Sequence, residues 1–469
     1  MTNVTKKDNL NKKQISWDLS FTGLLIFLLF RIPLTNIIGN EGNGYYFVSF
    51  EIFTLFYLIF GFCFHQITYE LLRKNLKKYS INTRNTLFTL LVIIGIFTSF
   101  IGALVLFITS KWILSFLHME LAIISLRLLC VWLIFSTISG IFRGYFEGNG
   151  SRIPTSFSKI IEAIVAGTGA LIFSTYFYKY GTKVGNLLFN SQYQPAFGAT
   201  GIICGFLCGS LFSFVFLFFI YHFFKRYQKQ NSTDTFAKEV TKRKMLVEIF
   251  KMYLLCLISA LCMYSYRLVN LSLYVSTLTN QTKEEATEIN ILSLIGSYHG
   301  KVLVLIGIIV LIILSISCKN IPKIKKNYSK NSFNNCWKYT FDDIKQILYI
   351  SIPACIFFAV LSEYLLNIIY GKANLTEINF LKIESICIIF IPLAMYLYRL
   401  MQRLNLNLAL LLLPMIAFIG QSIFMYVLVS TATTRMLSIV ISEVIFWFIL
   451  FIFELLIVMK EFKQILSNK

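Results

Sequence analysis

The sequence predicts an all-α, polytopic membrane protein of about twelve transmembrane helices in two parallel six-helix lobes. Three observations carry this. Of 469 residues, 57% are apolar and 14% charged, the latter roughly half the share of a soluble domain; at ~20 apolar residues per span that stock supplies about twelve. Apolar runs stand near 17–38, 45–70, 86–109, 120–142, 153–177, 196–223, 247–275, 294–317, 346–369, 379–399, 404–429 and 436–459. Lys and Arg collect in every second connection between them and keep that phase from end to end.

The 43 Lys and Arg exceed the 22 Asp and Glu by 21, but they sit at the ends of apolar runs. This distribution excludes a nucleic-acid partner. By the positive-inside rule the basic connections and both termini are cytoplasmic, and membrane lipids are the protein's first partners. Lys6, Lys7, Lys12 and Lys13 precede span one, and Arg73, Lys74, Lys77, Lys78 and Arg84 follow span two. The series continues with Arg143 and Arg152, the run from Lys225 to Lys251, the run from Lys319 to Lys345, Arg399 and Arg403, and the tail from Lys460 to Lys469.

Each element has its own signal. The run from Leu19 to Ile38 is too long for the core of a cleaved signal peptide and lacks its small-residue cleavage site, so it reads as a retained first span ending at Gly39-Asn40-Glu41. Pro33 lacks an N–H and should free the Leu29 carbonyl, breaking that helix. In span six, Gly201, Gly205 and Gly209 form a small-xxx-small series that favours close helix packing, and Cys204 and Cys208 between them read as packing residues, not metal ligands. Gly296-Ser-Tyr-His-Gly300-Lys301 imitates a phosphate loop but is one residue short and lacks the following Ser or Thr. It is not an ATP site, and no enzyme motif appears elsewhere. Asp342-Asp343 opens the segment leading into span nine, and acids suit a helix N-terminus.

The basic connection near 225–251 divides the chain into a cytoplasmic N-terminus 1–16, an N-lobe 17–224, a linker 225–246, a C-lobe 247–460 and a tail 461–469. Both lobes then start in the cytoplasm, as repeats related by an axis along the membrane normal do. Phe30-Arg31 in span one matches Tyr266-Arg267 in span seven. At the end of the fourth span of each half, Arg143 to Asn149 matches Arg399 to Asn405.

Phe30 to Gly44 (FRIPLTNIIGNEGNG), Arg143 to Thr155 (RGYFEGNGSRIPT), Lys159-Ile-Ile-Glu162, Phe197-Gly-Ala-Thr-Gly201, Ile352-Pro-Ala-Cys355 and Leu361 to Gly371 resemble segments of the polysaccharide exporter and stage V sporulation protein B-like branch of the MOP flippase superfamily. The resemblance covers roughly positions 20 to 371 and implies a MATE-like fold. It also implies a transporter that moves undecaprenyl-pyrophosphate-linked sugars across the bacterial inner membrane by alternating access, beside the glycosyltransferases or polymerase of the same pathway. Relatives that flip the peptidoglycan precursor have fourteen spans, so twelve favour an accessory cell-envelope glycan as substrate.

Arg31, Arg127, Lys159 and Arg267 are the basic residues left inside spans, where a charge costs at least ~2.5 kcal/mol and normally faces a cavity or a partner. Arg31 and Arg267 lie ~10–12 Å below the outer surface of their lobes at 1.5 Å per residue. A guanidinium binds phosphate bidentately and stays charged, so this matched pair is the expected pyrophosphate site, the alternative being ion pairs with acids of the same lobe. Arg127, Lys159, Glu51 and Glu162 are the other cavity candidates. Lys159 and Glu162 are three apart and would meet on one helix face, and Arg127 shares a face with Glu120. No bound cofactor is expected; a coupling Na⁺ or H⁺ would need an acid, for which Glu51 has the best depth. Two further functions compete: a cation-coupled drug or metabolite antiporter, which would show acids and few arginines, and a non-transporting partner of a glycan or sporulation assembly.

Overall fold

The apolar runs form helices, and the computed structural model describes them over residues 2–75, 81–230, 242–285, 290–317, 320–330, 332–404, 406–431 and 435–467. Lys77, Lys78, Lys238, Lys319, Lys469 and Asn405 lie outside the described residues. Among the described residues, eleven helical stretches are long and apolar enough to cross a membrane. The first, Phe21–Arg73, has 53 residues and if straight would reach about 80 Å, far beyond a hydrocarbon core of ~30 Å. It is broken at Gly39 (φ 70°, ψ −176°), a conformation that residues with a Cβ rarely adopt. The chain folds back there, since Arg31 touches Asn43 and Tyr46, and a straight helix would hold Arg31 and Tyr46 about 22 Å apart. Spans one and two are therefore 21–38 and 40–73, and the described residues hold twelve spans.

The expected break at Pro33 is absent: the helix continues through it and turns six residues later. One missing hydrogen bond is absorbed within a long helix, whereas a reversal needs the dihedral freedom of glycine. The later spans are Thr83–Phe116, Glu120–Gly148, Ile153–Leu188, Tyr193–Phe224, Arg243–Thr279, Ile291–Ile316, Asn334–Val360, Leu375–Leu404, Leu408–Ser430 and Arg435–Phe462. Single π-helical turns interrupt span two at Leu58–Phe62 and span eight at Tyr298–Val302, an insertion frequent at functional sites. The string that imitates a phosphate loop is thus buried helix.

Two compact units result, Met1–Leu261 and Cys262–Lys469. They part inside span seven, whose first half sends Met245 and Ile249 into a core with Phe64, Ile67, Phe88, Phe142 and Tyr145. The lobe boundary read from charge lies nearer the N-terminus.

Within the first unit, spans five and six pack through the glycine series. A Cβ on Gly205 would stand 2.2 Å from the Ala170 backbone nitrogen, one on Gly201 2.5 Å from Ser174 Cα, and one on Gly209 2.7 Å from Ala166 Cβ. Backbone cannot move aside as a side-chain tip can. Gly205→Val is therefore expected to cost about 3 kcal/mol, the upper end of overpacking penalties, and to deplete the protein from the membrane. Gly420→Ala, which meets only the Ile449 side-chain tip at 3.1 Å, should leave abundance near wild type. Equal abundance of the two variants on immunoblots would refute the close packing.

Candidate functional site

In the first unit the corner at Gly39 builds the surroundings of Arg31. Phe30, the preceding residue, lies against Gly167 of span five, where a Cβ would come within 2.3 Å of its ring. Arg31 is buried, 5% exposed. Its Nη2 donates to Asn43 Oδ1 at 2.9 Å, and its guanidinium lies 4.2 Å from the centroid of the Tyr46 ring, a cation–π contact. Asn43 Nδ2 in turn donates to the Gly39 carbonyl at 3.0 Å, so the helix break anchors the side chain that holds the arginine. Glu51, also 5% exposed, lies near enough to Tyr46 for its charge to oppose that of Arg31 there. Arg31, Asn43, Tyr46 and Glu51 thus form one buried polar group at the junction of spans one and two.

The other candidates of this unit lie apart from that group. Glu162 pairs with Arg143 of span four, which also donates from Nε to Ser158 Oγ at 3.0 Å and from Nη2 to Ser213 Oγ at 2.8 Å. The expected Lys159–Glu162 pairing is not the one formed. Helical spacing gives neighbours on one surface, but Arg143 on the adjacent span approaches Glu162 with two serines converging on it. Lys159 is half-buried, its backbone 3.0 Å from where a Cβ on Gly23 would stand. Arg127 is exposed and stacks on Phe107 at 4.7 Å; Glu120 instead accepts from Ser115 Oγ at 3.1 Å. A pocket of about 350 Å³ opens beside Lys111, Glu120, Tyr193 and Thr200, and none of the residues holding Arg31 lines it.

In the second unit, Arg267 is ion-paired. Its Nη2 donates to Glu443 Oε1 of span twelve at 2.8 Å, and the same oxygen receives Tyr266 OH at 2.7 Å and Trp447 Nε1 at 3.2 Å. Tyr266 stacks on Phe446 with centroids 3.9 Å apart. A third of the Arg267 side chain stays exposed. One turn along, Asn270 donates to Ser442 Oγ at 3.1 Å and accepts from Gln421. Glu384 of span ten is fully buried and accepts from Tyr298 OH at 3.1 Å, while its other oxygen has no hydrogen-bond partner. Lys301 pairs with Glu377 at 2.8 Å.

Arg267 thus meets the own-lobe acid that was the alternative to its phosphate role, while Arg31 donates to the amide oxygen of Asn43. Glu384 and Glu443 are visible in the sequence as intramembrane acids. Their grouping with Tyr298, Tyr266 and Arg267 is not, because the five come from four spans whose registers only packing fixes.

The chain has the fold of the MOP-superfamily transporters. It superposes on an inward-facing multidrug resistance MATE family transporter of that superfamily with a TM-score of 0.69 at 15% identity, covering 95% of this chain and 96% of that one. It superposes on MATE in complex with MaL6 at 0.63 and 15%, covering 98% and 97%, and on an outward-facing MATE at 0.62 and 13%, covering 98% and 96%. No curated protein sequence matches it. Residues 16–274, more than half of the chain, match the family described as Polysaccharide biosynthesis protein, and the chain belongs to that family.

Proposed function

We propose that the protein is a flippase or exporter of a lipid-linked oligosaccharide, of the undecaprenyl-pyrophosphate type, that works by alternating access. It acts in a bacterial cytoplasmic membrane with both termini inside, on the lipid-linked product of the pathway's glycosyltransferases. Family membership supports the polysaccharide side of this reading. The observation that carries the phosphate side is Arg31: a permanently charged fork, buried at membrane depth, that donates to the Asn43 amide oxygen and lies against the Tyr46 ring. A pyrophosphate is the ligand chemistry that such a fork takes bidentately, while the glycan and polyprenyl tail need no charged partner. Lys159, Arg127, Glu51 and Glu162 serve as secondary candidates along the route, and Na⁺ or H⁺ as the coupling ion.

The likeness to multidrug transporters and the buried acids Glu384 and Glu443 favour a second reading, a cation-coupled antiporter of drugs or metabolites. Proteoliposomes separate the two. With a fluorescent glycan on polyprenyl pyrophosphate, the protein is expected to expose the dye to an impermeant quencher faster than empty vesicles do. Transport of a cationic dye alone would establish the antiporter, and movement of neither would leave a membrane partner of the assembly.

A further inference from the structure

Span twelve carries three acids on one face. From Glu443 to Glu454 is 11 residues, and from Glu454 to Glu461 is 7, each within about 20° of whole turns. The three therefore lie in line over about 27 Å of helix, a distance comparable to the hydrocarbon core. Their surroundings differ. Glu443 is held by Arg267, Tyr266 and Trp447. Glu461, at the far end, accepts from Tyr328 OH at 2.7 Å; that phenol, pushed up to about 12 by burial first and by Glu461 second, stays a donor at neutral pH. Glu454 is fully buried, and neither of its carboxyl oxygens has a hydrogen-bond partner. It stands between Leu450 and Val458 in the helix's buried stripe.

Span twelve packs on spans nine, ten and eleven, on the second half of span seven and on the turn Arg435–Leu437. The charged groups those elements bring are engaged elsewhere. Arg267 is bound to Glu443, Glu377 to Lys301, and Glu384 to Tyr298. Asp343 receives Tyr396 OH and Asn320 Nδ2, and Arg435 donates to the Val429 carbonyl. Arg399 and Arg403 have partners of their own, and Lys338, Asp342, Lys345 and Lys382 are exposed. Among the described residues neither a donor nor a counter-charge is within hydrogen-bonding reach of Glu454. An ionised carboxylate without counter-charge or donors is among the costliest groups to bury, so the acid form is the one that fits this packing.

We infer that Glu454 is a proton-carrying site: it holds H⁺ while the buried face of span twelve is closed and gives it up when that face opens to water. In the step the carboxyl O–H bond breaks, its electron pair stays on the carboxylate, and the proton passes to water; closure requires the reverse. Protonation and packing of span twelve are thereby linked, because a ligand that binds one state shifts the population toward it. This deepens the transport reading by naming H⁺ as the ion its second unit carries.

Dicyclohexylcarbodiimide, which attacks protonated carboxyls in apolar surroundings, tests the site on full-length protein in proteoliposomes, with mass spectrometry locating the adduct. Glu454 is expected to be modified at neutral pH and to lose reactivity as pH is raised. Glu454→Gln, a mimic of the acid form, should keep membrane abundance and thermal stability while glycan export no longer responds to an imposed pH gradient. Absence of an adduct at every pH, or its confinement to Glu384, would overturn the proposal. So would a Glu454→Gln protein that still responds to the gradient. Modification of Glu454 in a protein that moves no glycan would uphold the proton site and remove the flippase reading.

Discussion

Glu443→Ala should remove most of the protein from the membrane. The substitution strips Arg267 of its ion-pair partner and leaves Tyr266 and Trp447 without the acceptor they share. Breaking one side of a buried pair typically costs 3–5 kcal/mol; with a third of Arg267 exposed, about 3 kcal/mol is the figure to expect. Replacing both partners with apolar residues of similar volume is often neutral, so Arg267→Met with Glu443→Leu should return abundance toward wild type. The double variant also separates two roles for Arg267. Restored abundance with export still lost assigns the arginine to the substrate, restored abundance with restored export makes the pair architectural, and full abundance of Glu443→Ala alone would show that the pair contributes little.

Arg31→Ala is expected to abolish export while the protein remains in the membrane. Two of its partners, Asn43 and the Tyr46 ring, are neutral, and Asn43 keeps its bond to the Gly39 carbonyl. Losing a charged bidentate partner in a desolvated site costs 2–5 kcal/mol; about 3 kcal/mol corresponds to a loss of roughly hundredfold. Arg31→Lys should retain part of the activity, since an ammonium keeps the charge without the fork. Quantifying exported glycan against immunoblotted protein checks both variants. Export at the wild-type rate in Arg31→Ala would end the pyrophosphate assignment, and a parallel fall in abundance would make Arg31 a member of the Glu51 group held for stability.

The spans were legible in the sequence because the bilayer imposes a length and a polarity on each, and both are local properties. The glycine series was legible for the same reason: small residues four apart on one helix announce a close neighbour without naming it. The position of the first turn was half visible, with Gly39 marked as an end but Pro33 weighted as the break. Partners across spans were not legible. Glu162 has a basic residue three positions away, yet binds Arg143 nineteen residues earlier, and nothing in the sequence around Lys301 points to its partner Glu377. Such pairs depend on rotation and depth of one helix against another, set by the summed packing of many apolar side chains. The solitude of Glu454 is a tertiary fact of the same kind.

The corner at Gly39 leaves spans one and two without an intervening loop. A loop would tolerate a change in length, but here one added residue would rotate everything beyond it by about 100° and carry Asn43, Tyr46 and Glu51 away from Arg31 together. Residues 21–73 can consequently drift in composition far more readily than in spacing, and insertions belong at exposed turns such as the one at Asn190 and Ser191.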